Sequence, residues 1–218
     1  MRCLVTAGPT AEPLDAVRQL TNRSTGELGG RLANHLAAAG HDVILLRGAP
    51  ATWSGPCAAS CVESFATVED LEALLLRWSK REVQAVLHAA AVSDFRFGAV
   101  WRCGADGLWQ EVVSGKHRTD LGPLRVDLVP TPKLILRLRD WFPRAFLAGW
   151  KYEVDGGRSD ALDRARAQVA ACGTDCCVAN GPAYGAGFGV VTPRGETLHC
   201  EDREALFAAL TVRITSGR

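Results

Sequence analysis

No apolar run in this 218-residue sequence is long enough to span a bilayer. Its first residues, MRCLVTAG, pass straight into a strand-like run, without the regions of a signal peptide. A cytoplasmic protein without membrane contact is expected. A charge excess is missing too: 25 lysines and arginines face 24 aspartates and glutamates, a net charge of +1. That excludes the basic footprint of a nucleic-acid binder, so anionic ligands must be held by local sites. No CxxC pair occurs among the eight cysteines. Buried, reduced thiols are therefore expected, with Cys57 and Cys61 as small hydrophobes in a loop. Two further absences concern nucleotide folds. No G-x-G-x-x-G follows the first strand, and no acidic residue closes the second, which ends ILLRG. A dinucleotide-dependent oxidoreductase therefore lacks both of its sequence markers here.

Hydrophobic residues make up 47% of the chain and charged residues 22%, ample material for a core. Apolar runs alternate with amphipathic segments. RCLVTAG, HDVILLRG, VQAVLHAAAV (ending at Ser93 and Asp94), RAFLAGW, DCCVAN and GFGVVTP read as strands. Helices are predicted over 26–39, stopped by Gly40, over 68–79, around 159–171, and from about Glu201 toward Ile214 with Asp202 as a cap. Continuously apolar strands separated by helices imply an α/β fold with a doubly wound, mostly parallel, Rossmann-like sheet. One domain over 1–218 is expected, with ligands at the carboxyl ends of the strands. The pattern breaks over 97–129. WRCGADGLWQ signals a hairpin turning at Ala105, Asp106 and Gly107, and LRVDLV alternates apolar and polar residues. This antiparallel excursion reads as a flap, an interface arm, or both, with Trp101 and Trp109 stacked across it.

Four stretches carry candidate chemistry. In NRSTGELGG, Gly26, Gly29 and Gly30 start a helix whose free N–H groups attract anions, or let the helix pack tightly on the sheet. Asn22 and Ser24 there either hold a phosphate or acyl oxygen or cap the helix. In AAAVSDFRF, small residues at a strand end let a flat ligand lie on the backbone, and Asp94 binds a metal or an amine or caps a turn. Lys116 and Arg118 in SGKHR close over a phosphate or stay solvated. In VANGPAYGAGFG, Asn180 ends a strand before a glycine-rich loop.

These stretches, in this order, resemble the phosphopantothenoylcysteine synthetase (phosphopantothenate–cysteine ligase) family, in bacteria often fused behind a flavin-dependent decarboxylase. The family pattern runs TAGGT-x-EP-x-D-x-VR, NRSSGxxG, AAAVADY, K-x-KK, PTPDI and VAND with a GFG. This chain has TAGPTAEPLDAVRQLTNRSTGELGG, AAAVSDF, KHR, PTPKL and VANGPAYGAGFG. The resemblance covers nearly the whole chain and suggests the synthetase portion alone, with no flavin. It implies ligation through an acyl nucleotide, with magnesium accompanying CTP or ATP. It makes Asn22 and Lys116 the catalytic candidates, and Gly8, Thr10, Asn22, Ser24, Gly26 and Asn180 the substrate contacts. Ala90, Ala91, Asp94, Lys116, Pro132, Lys133, Leu134, Ile135 and Trp150 become nucleotide contacts, with Asp94 the one side chain in reach of a metal. It further implies a homodimer through 101–129 and a separate decarboxylase as partner.

The departures fall on the nucleotide side. Lys133 and Gly181 replace aspartates of PTPDI and VAND, Pro9 replaces a glycine, and GWKYE replaces GFAAE. Family lysines expected to meet the triphosphate are matched by Gln168 and Cys172, which carry no charge. The ligase reading therefore stands beside a second, a non-catalytic homologue that binds a nucleotide or serves as a partner subunit.

Overall fold

In the computed structural model, which describes residues 1–216, an eight-stranded sheet is wrapped on both faces by helices. Residues 217 and 218, the end of the expected domain, lie outside the described residues. The chain begins with β1 (Arg2–Ala7), a short hairpin of β2 (Ala11–Pro13) and β3 (Gln19–Thr21), and α1 (Glu27–Ala38). β4 (Asp42–Gly48), β5 (Cys61–Phe65), α2 (Val68–Ser79) and β6 (Ala85–His88) follow. β7 (Phe95–Cys103), β8 (Trp109–Glu111) and β9 (Leu124–Pro130) form the excursion. Then come α3 (Leu138–Trp141), β10 (Phe146–Tyr152), α4 (Arg158–Cys172), β11 (Cys176–Asn180), β12 (Phe188–Val191), β13 (Thr197–Cys200) and α5 (Arg203–Ser216).

The strand order is β13-β12-β11-β10-β6-β1-β4-β5. Six strands are parallel, and β12 and β13 add an antiparallel edge. Alternation along β1 explains the two-faced core. Cys3, Val5 and Ala7 face Leu32 and Leu36 of α1 and Leu206 and Leu210 of α5. Leu4 faces the other way, toward Leu71 and Leu75 of α2 and Leu138 of α3. α4 offers Ala161, Ala165 and Val169 to Cys177, Ala179 and Val191. Asp202 caps α5 by accepting the Ala205 N–H at 2.8 Å. All eight cysteines are free thiols, and burial pushes Cys3 up to about 11 and Cys176 up to about 12, which keeps them inert.

Several expectations change. β6 stops at His88, so Ala89, Ala90 and Ala91 are loop rather than strand. Cys61 lies in a strand, not a loop, and the three-residue β2 and β3 are too short to show a period. Trp101 and Trp109 do not stack: register puts Trp101 opposite Glu111 and Trp109 opposite Cys103. The Trp109 ring instead takes the Arg125 guanidinium 3.9 Å from its centroid.

Candidate functional site at the reversal of strand order

Between β1 and β6 the chain's direction of progress across the sheet reverses, which opens a crevice at the carboxyl ends of both strands. The loops that leave these two strands are laced together. Ala91 N–H donates to Gly8 O at 3.0 Å, and Thr10 N–H donates to Ala91 O at 3.1 Å. Thr10 is fully buried, and its hydroxyl accepts the Ser93 N–H at 2.9 Å. Its side chain therefore belongs to the lacing of the crevice floor. Gly8 has φ 83°, and a Cβ there would lie 2.8 Å from Ala51 Cβ, so only glycine lets the strand end turn here.

A second layer of the lacing comes from two polar residues inside apolar strands. Thr6 and His88 are register partners. The Thr6 hydroxyl oxygen lies 3.0 Å from His88 Nδ1 and accepts the Ala90 N–H at 3.1 Å. One arrangement satisfies these three atoms: Ala90 donates to Thr6, and Thr6 donates to an unprotonated Nδ1. Burial pushes His88 down to about 4, so the imidazole is neutral at ordinary pH. Neither residue was among the sequence candidates. The available signal was a threonine and a histidine in runs that are otherwise apolar.

α1 enters the crevice at Gly26, which has φ 81° and no side-chain cap. Neither Asn22 nor Ser24 caps the helix. Asn22 Nδ2 instead donates to Ala91 O at 3.1 Å, across the crevice floor. Gly29 and Gly30 serve packing: Cβ atoms there would sit 2.6 Å from Ala7 Cβ and 2.2 Å from the Trp53 ring.

Lys116 is exposed, in a turn tied to the connection between β2 and β3, which precedes Asn22 in the chain. Ala16 N–H donates to Gly115 O at 3.0 Å, and His117 N–H donates to Asp15 Oδ2 at 3.2 Å. Asp15 also accepts the Val17 and Arg18 N–H groups and the Arg18 guanidinium. Shielding from water would raise its pKa, but those donors overrule it and hold the carboxyl well below the usual range.

On the nucleotide side, Asp94 pairs with Lys133, and both side chains are more than half exposed. Such a pair is worth about 0–1 kcal/mol and yields easily to a ligand. Leu134 is 1% exposed and packs in the core, so it anchors its segment. Pro132 is exposed; Ile135 packs toward Gly149, where an added Cβ would meet its Cδ1 at 2.7 Å. Trp150 is half-buried on β10, with an indole N–H that has no partner. Asn180 ends β11 beside β10 with an unpartnered amide oxygen. Gly181 has φ 109°, and a Cβ there would come 2.5 Å from Glu153 O, so this turn excludes aspartate.

Gln168 and Cys172 do not supply the crevice. Gln168 Nε2 donates to Trp150 O at 3.3 Å and fills space left by Gly149. Cys172 is the last residue of α4, which runs antiparallel to the parallel strands, so it sits at the end remote from their carboxyl tips. A cation unanticipated from sequence, Lys151 on β10, pairs with Glu153 at 3.4 Å, and Glu153 also holds Arg164. Among the described residues no group of three or more His, Cys, Asp or Glu is placed to hold a metal. No helix among them is long and apolar enough to cross a membrane.

Comparison with known proteins gives a consistent picture. The model of the DNA/pantothenate metabolism flavoprotein C-terminal domain matches residues 1–209. The Coenzyme A biosynthesis bifunctional protein CoaBC of Thermococcus kodakarensis is 36% identical over 185 residues, 82% of this chain and 41% of that protein. Its namesake from Mycobacterium bovis is 31% identical over 205 residues, 94% of this chain and 47% of that protein. The chain thus spans less than half the length of these curated relatives. The DNA/pantothenate metabolism flavoprotein from Streptococcus pneumoniae superposes with a TM-score of 0.82 at 24% identity, over 99% of each chain. A Cab2 mutant in complex with phosphopantothenate-cysteine has a TM-score of 0.74 at 18% identity, over 99% of this chain and 86% of that one. At these identities the likeness is one of fold.

Proposed function

Because the chain belongs to the DNA/pantothenate metabolism flavoprotein C-terminal domain family, we propose that it joins 4′-phosphopantothenate to cysteine in coenzyme A synthesis. The observation that carries this reading is the Asn22 amide reaching across the crevice floor to Ala91 O. It brings the substrate-side loop and the nucleotide-side loop within one hydrogen bond of each other.

In this reading the phosphopantothenate carboxylate attacks the α-phosphorus of a nucleoside triphosphate, and pyrophosphate leaves. The cysteine amine then attacks the acyl carbon, and the nucleoside monophosphate leaves. CTP is the preferred nucleotide and ATP the alternative. Chemistry of this kind needs alignment and charge neutralisation more than a strong base. Ala90 and Ala91 offer a flat backbone surface to the nucleotide. Gly8 and Gly26 let the acyl phosphate approach the backbone, and the α1 N-terminus favours its negative charge. Asn22 orients the acyl nucleotide, and Lys116 meets the phosphates. Magnesium arrives with the triphosphate rather than in a protein cage, with Asp94 as the carboxylate in reach once Lys133 releases it.

A homodimer forms through 101–129 in this reading. The three-stranded sheet and its connections expose Phe95, Leu108, Val113, Leu121, Leu128 and Val129, an apolar surface of the kind partners cover. A single monomeric species in sedimentation at micromolar concentration would remove this part.

One observation favours the non-catalytic alternative: Gln168 and Cys172 bring no charge to the triphosphate. Mixing the protein with CTP, phosphopantothenate and magnesium, and measuring pyrophosphate with and without cysteine, separates the two. The ligase releases pyrophosphate in step with coupled product, whereas a binding homologue releases none.

A further inference from the structure

A second cavity, of about 630 Å³, opens at the amino edge of the sheet, the opposite end from the crevice. Its wall includes Arg139, Arg166 and Arg194, with Thr174, Asp175 and Thr192. Thr174 precedes β11, and Thr192 opens the turn after β12, which runs antiparallel and returns to the same edge. Three arginines stand against Asp175 on the wall and Asp163 beside Arg166, which leaves a local excess of one positive charge on a protein that is nearly neutral overall.

The hydroxyls are the second observation. Thr174 is 2% exposed and Thr192 7%, and neither Oγ1 has a hydrogen-bond partner. A buried hydroxyl without a partner is destabilising, and native proteins rarely keep one without a use. Here two stand on the wall of one basic cavity. Arg194 is exposed at the turn's tip, and its guanidinium has no partner among the described residues. Arg166 holds Asp163 at 2.7 Å and the Thr197 hydroxyl at 3.3 Å. Arg139 is engaged by Asp175 at 2.7 Å and by backbone carbonyls, so it supplies field rather than contact.

We propose that this cavity is an oxyanion site that binds a phosphate group, held by the Arg194 and Arg166 guanidiniums and the hydroxyls of Thr174 and Thr192. A tetrahedral oxyanion is acceptor-only and so satisfies donors of both kinds at once. The site does not depend on the ligase reading, because it lies at the other end of the sheet.

The test titrates inorganic phosphate, then glycerol 1-phosphate, against chloride at matched ionic strength, and follows backbone amide NMR shifts. Saturable shifts at Thr174, Thr192, Arg194 and Gly195 are expected, independent of any shifts at Gly8 and Gly26. Arg194→Gln should weaken binding about tenfold, as loss of one charge-assisted contact does. Tighter binding of the ester identifies a phosphorylated metabolite as the occupant, and equal binding identifies free phosphate. Thr174→Val and Thr192→Val should each raise Tm in phosphate-free buffer by about 2 °C, as removal of an orphan hydroxyl does, yet weaken phosphate binding. Absence of saturable shifts at Thr174, Thr192, Arg194 and Gly195 with both probes, or an affinity unchanged in Arg194→Gln, overturns the proposal.

Discussion

The crevice floor and the three-stranded sheet beside it use opposite means to hold their parts in place. The floor is small and stiff: alanines and glycines are joined by backbone hydrogen bonds, with Thr6, Thr10 and His88 bonded beneath them and 5% exposed or less. The neighbouring sheet is open. Phe95, Leu128 and Val129 face solvent, although Val100 is buried, and its Lys116 turn is fastened to the rest of the site through Asp15 and Arg18. A floor of this kind offers fixed geometry and no charge, whereas the turn offers charge on a tether. The division suits a reaction in which the base and acyl groups must be aligned while a polyphosphate enters and leaves.

The largest test of this contrast compares two glycines. Gly8→Ala, with φ 83° and a 2.8 Å clash, should cost roughly 3 kcal/mol. Gly115→Ala, with nothing within 4 Å, should be neutral in denaturant unfolding. Similar losses in both would erase the distinction. His88 probes the floor through pH. Its folded pKa of about 4 lies below the unfolded value, so its contribution is present above about pH 6.5 and lost as pH falls toward 4. The drop should be about 3 kcal/mol, and His88→Asn, whose amide oxygen can replace Nδ1, should flatten it in melts run across that window.

Next in size, Asn22→Asp should leave Tm nearly unchanged, since the side chain is exposed. It should slow turnover about a hundredfold, because a carboxylate would face the phosphate of the intermediate. Normal turnover would strip Asn22 of its role. Lys116→Ala should weaken nucleotide binding about ten- to a hundredfold in CTP and ATP titrations, with Arg118 little help because Asp120 already holds it. The smallest effect is expected from restoring the family's lysines. Gln168→Lys should improve nucleotide affinity by less than about threefold, because Gln168 is packed between β10 and β11 rather than aimed at the crevice. A tenfold gain would place the triphosphate over α4 instead of beside Lys116.

Hydrophobic period and length reached most of the architecture. The long strands and α1, α2, α4 and α5 are legible because burial on one or both faces writes itself into the spacing of apolar residues. Residue pattern also brought Gly26 and the three alanines to attention, because glycine and small residues mark close approach, and Asn22 as a polar group beside them, while Gly8 came from the family resemblance. What escaped were features set by partners distant in sequence. Thr6 and His88 bond across 82 positions, and Asp15 meets His117 across 102. No local period records such a pair.

The sequence by itself determined the α/β class, the position of the antiparallel excursion and the family, because each rests on local period or on contiguous motif. Only the tertiary structure decided which motif residues turn inward and which stay exposed. Thr10 and Leu134 turn inward, Cys172 lies at the wrong end of its helix, and Gly181 occupies a turn that no aspartate could adopt. Facing is a property of register and packing. Register is set by the strand order, and strand order is set by which buried faces fit together across the whole chain.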